Sequence, residues 1–242
     1  MEQQNSMMKR LIVIFGALLV IGGVILAWFF ESRPVVDNSG PKQNIVDVVD
    51  RGISAEDMPL FDEKIESVAK EIADKQQAGE EDISLYLRLG NAYYSAGQLA
   101  KAVEQYNLIL KDHPQDAAAL ENKAQALSEA GDFEGAKVAW YAALAVDPRE
   151  ETYIKLSNFL LDKEPDSSKE VLRLLEEGVQ NNGQTVGLMV ALGNANRKIG
   201  DLELAVTYYD IATKLAPEDT SLKDELKIIQ TELSAERQKN LK

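Results

Sequence analysis

The 242-residue chain has no cysteine and a single histidine. The first absence excludes disulfides, thiolate metal ligands, cysteine nucleophiles and a lipidated cysteine anchor. The second excludes histidine-cluster metal sites and weighs against a histidine-based catalytic triad. Positive charge is also scarce: 26 lysines and arginines face 40 aspartates and glutamates, a formal charge of −14. Without a basic excess the chain has no counterion-displacing surface, so no nucleic-acid partner is expected. The phosphate loop G-x-x-x-x-G-K, the zinc helix H-E-x-x-H and the nucleophile elbow G-x-S-x-G are all missing. His113 precedes Pro114 and suits a helix end. Glu80-Glu81-Asp82 and Glu176-Glu177 are chain neighbours, which diverge by about 100° on a helix and so cannot converge as acid–base pairs. Ser167 and Ser168 read as helix N-caps. The expectation is a protein with no enzymatic activity, cofactor or metal.

Apolar residues make up 45% of the chain, unevenly spread. Leu11 to Phe30 read LIVIFGALLVIGGVILAWFF, twenty residues without a charge. As a helix this run spans about 30 Å, the thickness of a bilayer hydrocarbon core. Lys9 and Arg10 flank it on one side, and Trp28, Phe29 and Phe30 close it on the other. A transmembrane helix over 11–30 is expected. A cleaved signal peptide fits less well, because the run is long and no small-residue cleavage site follows. The basic pair places a short tail, 1–10, in the cytoplasm and everything after residue 30 outside it. The opposite topology would turn the globular part toward cytosolic partners. Residues 31–52 carry Pro34, Asn38, Ser39, Gly40 and Pro41 and read as a flexible linker. Ile45, Val46, Val48 and Val49 interrupt it and are expected to pack on the following domain.

Beyond the linker the chain repeats itself every 34 residues. Gly97 and Gly131, Ala102 and Ala136, Tyr106 and Trp140, and Pro114 and Pro148 are each 34 apart. Gly200, Ala205, Tyr209 and Pro217 keep the same mutual spacing. A weaker copy, one residue longer, lies between. It has Leu161 and Leu175, but Gly183 where the proline would stand. A helix-breaking proline, a glycine able to end a helix in a left-handed conformation, and a small residue opposite a ring describe helix–turn–helix units. This pattern resembles the tetratricopeptide repeat family. The first copy carries Tyr86, Leu89, Gly90, Tyr93, Gly97, Ala102, Tyr106 and Pro114. The second carries Leu120, Ala124, Leu127, Gly131, Phe133, Ala136, Trp140 and Pro148, and the fourth Met189, Leu192, Gly193, Gly200, Ala205, Tyr209, Ala212 and Pro217.

The resemblance implies an all-α fold, a right-handed superhelix of antiparallel helix pairs. Its repeats would be 83–116, 117–150, a degenerate 151–185 whose turn lacks glycine, and 186–219. A capping helix region, 53–82, has the apolar stripe Ile65, Val68, Ala69 and Ile72. A second cap and tail, 220–242, has Leu222, Leu226, Ile229 and Leu233. Such caps are what a stack of repeats requires at its ends.

In this family the first helix of each repeat lines a groove for a peptide or partner helix. By register this implies Arg88, Asn91 and Tyr94, then Asn122 and Gln125, then Lys155 and Phe159, then Asn194, Arg197 and Lys198, with Lys163 beside them. The two-carboxylate clamp of chaperone-tail binders is not reproduced, because its basic positions hold Leu87, Thr152 and Leu156. Asn196 stands where the family usually has an aromatic, and is expected to be partly exposed. The implied function is a membrane-anchored protein-interaction scaffold. The layout suggests bacterial envelope work: pilus or secretion assembly, cytochrome c maturation or protein quality control. The repeat ends also leave room for homo-oligomerisation.

Overall fold

Several helices in this chain begin where a short polar side chain satisfies one of the first free N–H groups. In the computed structural model, which describes residues 46–240, Asp82 accepts from the N–H of Ser84 (3.1 Å), Asp116 from Ala119 (2.8 Å), Asp132 from Gly135 (2.9 Å), Thr185 from Leu188 (3.1 Å) and Asp201 from Leu204 (3.0 Å). The described residues form ten α-helices and no strand: α1 (Met58–Gln77), α2 (Ile83–Ser95), α3 (Leu99–Asp112), α4 (Ala117–Ala130), α5 (Phe133–Val146), α6 (Glu150–Lys163), α7 (Ser168–Asn182), α8 (Val186–Ile199), α9 (Leu202–Leu215) and α10 (Thr220–Asn240). The run 11–30 lies outside the described residues. Among those described, no helix is long and apolar enough to cross a membrane.

Helices α2 to α9 form four successive pairs, each a first helix and a second helix joined by a short connection. In three of the pairs the turn is the same. Gly97, Gly131 and Gly200 take φ of +76°, +88° and +88°. The next N–H reaches back five residues: Gln98 to the Tyr93 carbonyl, Asp132 to Leu127 and Asp201 to Asn196, each at 2.9 Å. This bond and the left-handed glycine together form a Schellman cap.

Within a pair the helices approach through the missing side chain of a glycine. A Cβ on Gly90 would lie 2.5 Å from the Tyr106 ring, and one on Gly193 2.5 Å from the Tyr209 ring. Both tyrosines are buried. Between pairs, the apolar faces merge. A continuous core runs from Ala124 and Trp140 through Leu156, Leu175 and Leu192 to Ile229 of α10.

The third pair departs from this plan. Its turn has no glycine, and a 3-10 helix, Pro165–Ser167, bridges α6 and α7. Ser167 is buried, and its hydroxyl donates to the Leu160 carbonyl (3.1 Å). It therefore ties the bridge down and makes no side-chain cap for α7, contrary to the N-cap expected of it. Asn196 also departs from expectation. It is 1% exposed, its amide donates to the Leu192 carbonyl (2.8 Å), and its Oδ1 has no partner among the described residues. Its position in α8 faces the core, which the polar residue type conceals.

The ends differ in quality. Helix α10 buries Leu222, Ile229 and Leu233, whereas α1 packs on α2 and buries Val68 alone of its stripe. Before α1, residues 46–51 run extended across the turns of the first two pairs. Val46 N–H donates to the Ala130 carbonyl and Val49 N–H to the Gly97 carbonyl, both at 2.9 Å. This end of the linker is thus held by backbone hydrogen bonds. Val46 and Val48 are exposed, so the apolar residues there bury little.

Candidate partner-binding face

Side chains of successive first helices meet across neighbouring pairs, although they stand at different places in the 34-residue register. Asn91 of α2 accepts from the buried Tyr106 hydroxyl (2.9 Å) and from the Asn122 amide of α4 (2.9 Å). Asn194 of α8 repeats the first of these bonds, accepting from the Tyr209 hydroxyl (2.7 Å). Burial raises the pKa of both tyrosines, which keeps their hydroxyls protonated as donors. Each asparagine is therefore held by a hydroxyl that reaches it from the second helix of its pair.

Position 125 belongs to the same register but behaves differently. Trp140 replaces the tyrosine in the second pair, and its buried Nε1 has no partner among the described residues. Gln125 instead donates to Glu129 (2.9 Å), and the Tyr94 hydroxyl donates to the same carboxylate. Burial opposes the ionisation of Glu129. The donors Tyr94, Gln125 and Arg51 outweigh it and hold the pKa below the ordinary carboxylate value. In the third pair the register is filled by Phe159. It is buried against Trp140 (ring centroids 4.9 Å apart) and Phe133 (5.9 Å), so it contributes to packing and is not open to a ligand.

The cations expected on this face are mostly paired within the chain. Arg88 bonds Glu71 of α1 (3.1 Å). Arg197 bonds Glu225 and Glu232 of α10 (2.5 Å each). Lys198 donates to the Leu161 carbonyl, and Lys163 pairs with Asp162 (2.8 Å). Lys155 is exposed, with no ion-pair partner among the described residues. The end helices thus supply carboxylates that neutralise the two arginines. Periodicity could not reveal those pairings, because the partners lie 17 to 35 residues away in sequence.

Residues 87–150 and residues 186–219 each match models of the tetratricopeptide repeat. Both stretches are tetratricopeptide repeats. The third pair, between them, shares the helix–turn–helix plan without the glycine turn. Solved structures resemble this array, among them two described as tetratricopeptide proteins. MamA (residue 41 to the end) from Desulfovibrio magneticus RS-1 is 20% identical, with a TM-score of 0.53 over 63% of this chain and 85% of that one. TTC0263 from Thermus thermophilus is 16% identical, with a TM-score of 0.52 over 73% of this chain and 93% of that one. YrrB, described as a tetratricopeptide protein with an unusual peptide-binding site, is 18% identical, with a TM-score of 0.53 over 70% and 85%. At these identities the likeness is one of fold. No curated protein sequence matches the chain.

Two features of the repeat array were missed by sequence register. Glu129, at the end of α4, is the carboxylate on which Tyr94, Gln125 and Arg51 converge. Arg51 lies before the first repeat, yet its guanidinium sits 2.6 Å from Glu129 and 4.7 Å from the Tyr94 ring centroid. A pairing between a linker residue and a repeat residue has no periodic signature. Among the described residues, no group of three or more histidines, aspartates or glutamates is placed to hold a metal ion.

Proposed function

We propose that this chain is a membrane-anchored scaffold whose repeat array binds a protein or peptide partner along its first helices. Residues 11–30 would be the anchor, the N-terminus cytoplasmic, and the array extracytoplasmic in a bacterial envelope. The observation that carries the reading is the 2.9 Å bond between Asn91 and Asn122, side chains from successive first helices. It marks one polar face that passes from repeat to repeat, with Lys155 and Asn194 exposed farther along the chain. Asparagine amides there can bond a peptide backbone: Asn91 can donate through its amide N–H groups, and Asn122 and Asn194 can both donate and accept. The peptide-binding description of YrrB supports the same use of the fold. No catalytic constellation is called for by this role.

The test is proximity labelling from the full chain in its native membrane. Wild type is compared with Lys155→Glu combined with Asn122→Ala, both away from the capping ion pairs. Loss of a reproducible partner set from the variant is expected. An unchanged set would refute the groove. A C-terminal reporter active only outside the cytosol tests the topology, and activity of a cytosolic reporter instead would refute it.

A further inference from the structure

We propose that Tyr94, Gln125 and Glu129 form an arginine-binding subsite at the rim of the array, built for an extended peptide, and that residues 46–51 occupy it in cis. The subsite is an addition to the scaffold reading above and rests on it only for the existence of a partner in trans.

The first repeat lacks something its counterparts have. The residue after the turn glycine is Asp132 in the second repeat and Asp201 in the fourth, and each caps the following helix. In the first repeat the residue is Gln98, which makes no side-chain cap for α3. One of the N–H groups left free at that helix start, that of Ala100, donates instead to the Asp47 carbonyl of the extended segment (3.2 Å). A backbone in trans could satisfy it equally well.

The turn is also open to a backbone only because of its glycine. A Cβ on Gly97 would overlap the Val49 carbonyl oxygen, whereas the equivalent atom on Gly200 would meet nothing within 4 Å. Three backbone hydrogen bonds then fix the segment, to Ala130, Gly97 and Ala100. None of them reads a side chain.

Arg51 supplies the side-chain contact. Its guanidinium pairs with Glu129 (2.6 Å), donates to the Tyr94 carbonyl (3.3 Å) and lies over the Tyr94 ring. Glu129 is already oriented by the Tyr94 hydroxyl and Gln125, so the subsite presents a fixed carboxylate beside an aromatic face. That pairing suits a planar guanidinium better than a lysine ammonium. The hold is nonetheless light. Both charged side chains remain about a quarter exposed (27% and 24%), and Val48 of the segment is 60% exposed. Residues 46–51 are therefore a displaceable occupant. An arginine-bearing extended segment would compete for the same three backbone groups and the same carboxylate.

The experiment uses the full chain and a fluorescent synthetic peptide with the sequence of residues 43–54. In Val49→Pro/Arg51→Ala the segment loses the N–H bonded to Gly97 and the cation bonded to Glu129. Peptide affinity should rise about tenfold over wild type if the segment closes the subsite most of the time. The same peptide with alanine at the arginine position should lose that gain, and so should Glu129→Gln in the released background. Exchange of the Ala100 amide should be slow in wild type and fast in the released variant, with helical circular dichroism unchanged. Equal affinity for wild-type and released chains, equal binding of the alanine peptide, or unchanged Ala100 exchange would each overturn the proposal. If the peptide fails to bind while Lys155→Glu/Asn122→Ala still abolishes partner labelling, the rim subsite is wrong and the scaffold reading stands. If the peptide binds as expected and partner labelling is insensitive to that variant, the reverse holds.

Discussion

Replacing Gly90 by alanine tests whether close helix approach is what the repeat glycine provides. Two effects oppose each other. Alanine in a helix interior is favoured over glycine by about 1 kcal/mol, so an unhindered site would gain stability. Here the new Cβ would lie 2.5 Å from Cε1, 3.0 Å from Cδ1 and 3.1 Å from Cζ of Tyr106. Tyr106 is 1% exposed and its ring cannot step aside into solvent. Overpacking of this kind costs about 1–3 kcal/mol. Displacing the ring also endangers the hydroxyl bond to Asn91, worth about 1 kcal/mol net. The balance is a destabilisation of about 1–3 kcal/mol. It should appear as a lower urea midpoint by circular dichroism, and as a lost hydrogen bond between the Tyr106 hydroxyl and Asn91. The diagnostic arm is Tyr106→Leu, which removes the three ring atoms that crowd the site. In that background Gly90→Ala should become neutral or stabilising, a coupling of about 1–3 kcal/mol. If Gly90→Ala is harmless on its own, or equally harmful in the Tyr106→Leu background, close approach is not the reason for the glycine.

Further outcomes follow from the charged and aromatic contacts. Arg197→Ala should loosen α10 by about 1 kcal/mol or less, since all three charged side chains are about a third exposed, and should speed proteolysis within 220–240. Glu129 has a folded pKa below its unfolded value. Its contribution is present in full above the ordinary carboxylate range and is lost as pH falls through the depressed value. Protection of the Ala100 amide should therefore be constant from about pH 7 to 5 and decline below about pH 4, and a decline already at about pH 6 would contradict this. Trp140 is 2% exposed, so in a Trp28→Phe background its emission should be blue-shifted and resist iodide quenching. Trp140→Phe forfeits packing but no hydrogen bond, and should cost less in urea melts than the about 3–5 kcal/mol of a truncation to alanine.

The 34-residue register made the fold legible because it encodes steric requirements that recur. Gly90 and Gly193 face rings, Gly97, Gly131 and Gly200 need positive φ, and the pattern repeats since each pair must stack on the next. Features that occur once were not legible. Asn196 reads as surface by residue type but lies in the core. Arg88 and Arg197 read as groove cations, yet carboxylates of α1 and α10 reach them across 17 to 35 residues. The candidate sites lie in departures from the register. Phe159 seals with packing the position that Asn91 and Asn194 fill with amides. Gln98 leaves open the cap that Asp132 and Asp201 close, and there the chain's own extended segment docks. A repeat scaffold can distinguish partners only where its copies differ. The copy-to-copy differences, more than the consensus that identifies the fold, are therefore where the proposed partner recognition is to be tested.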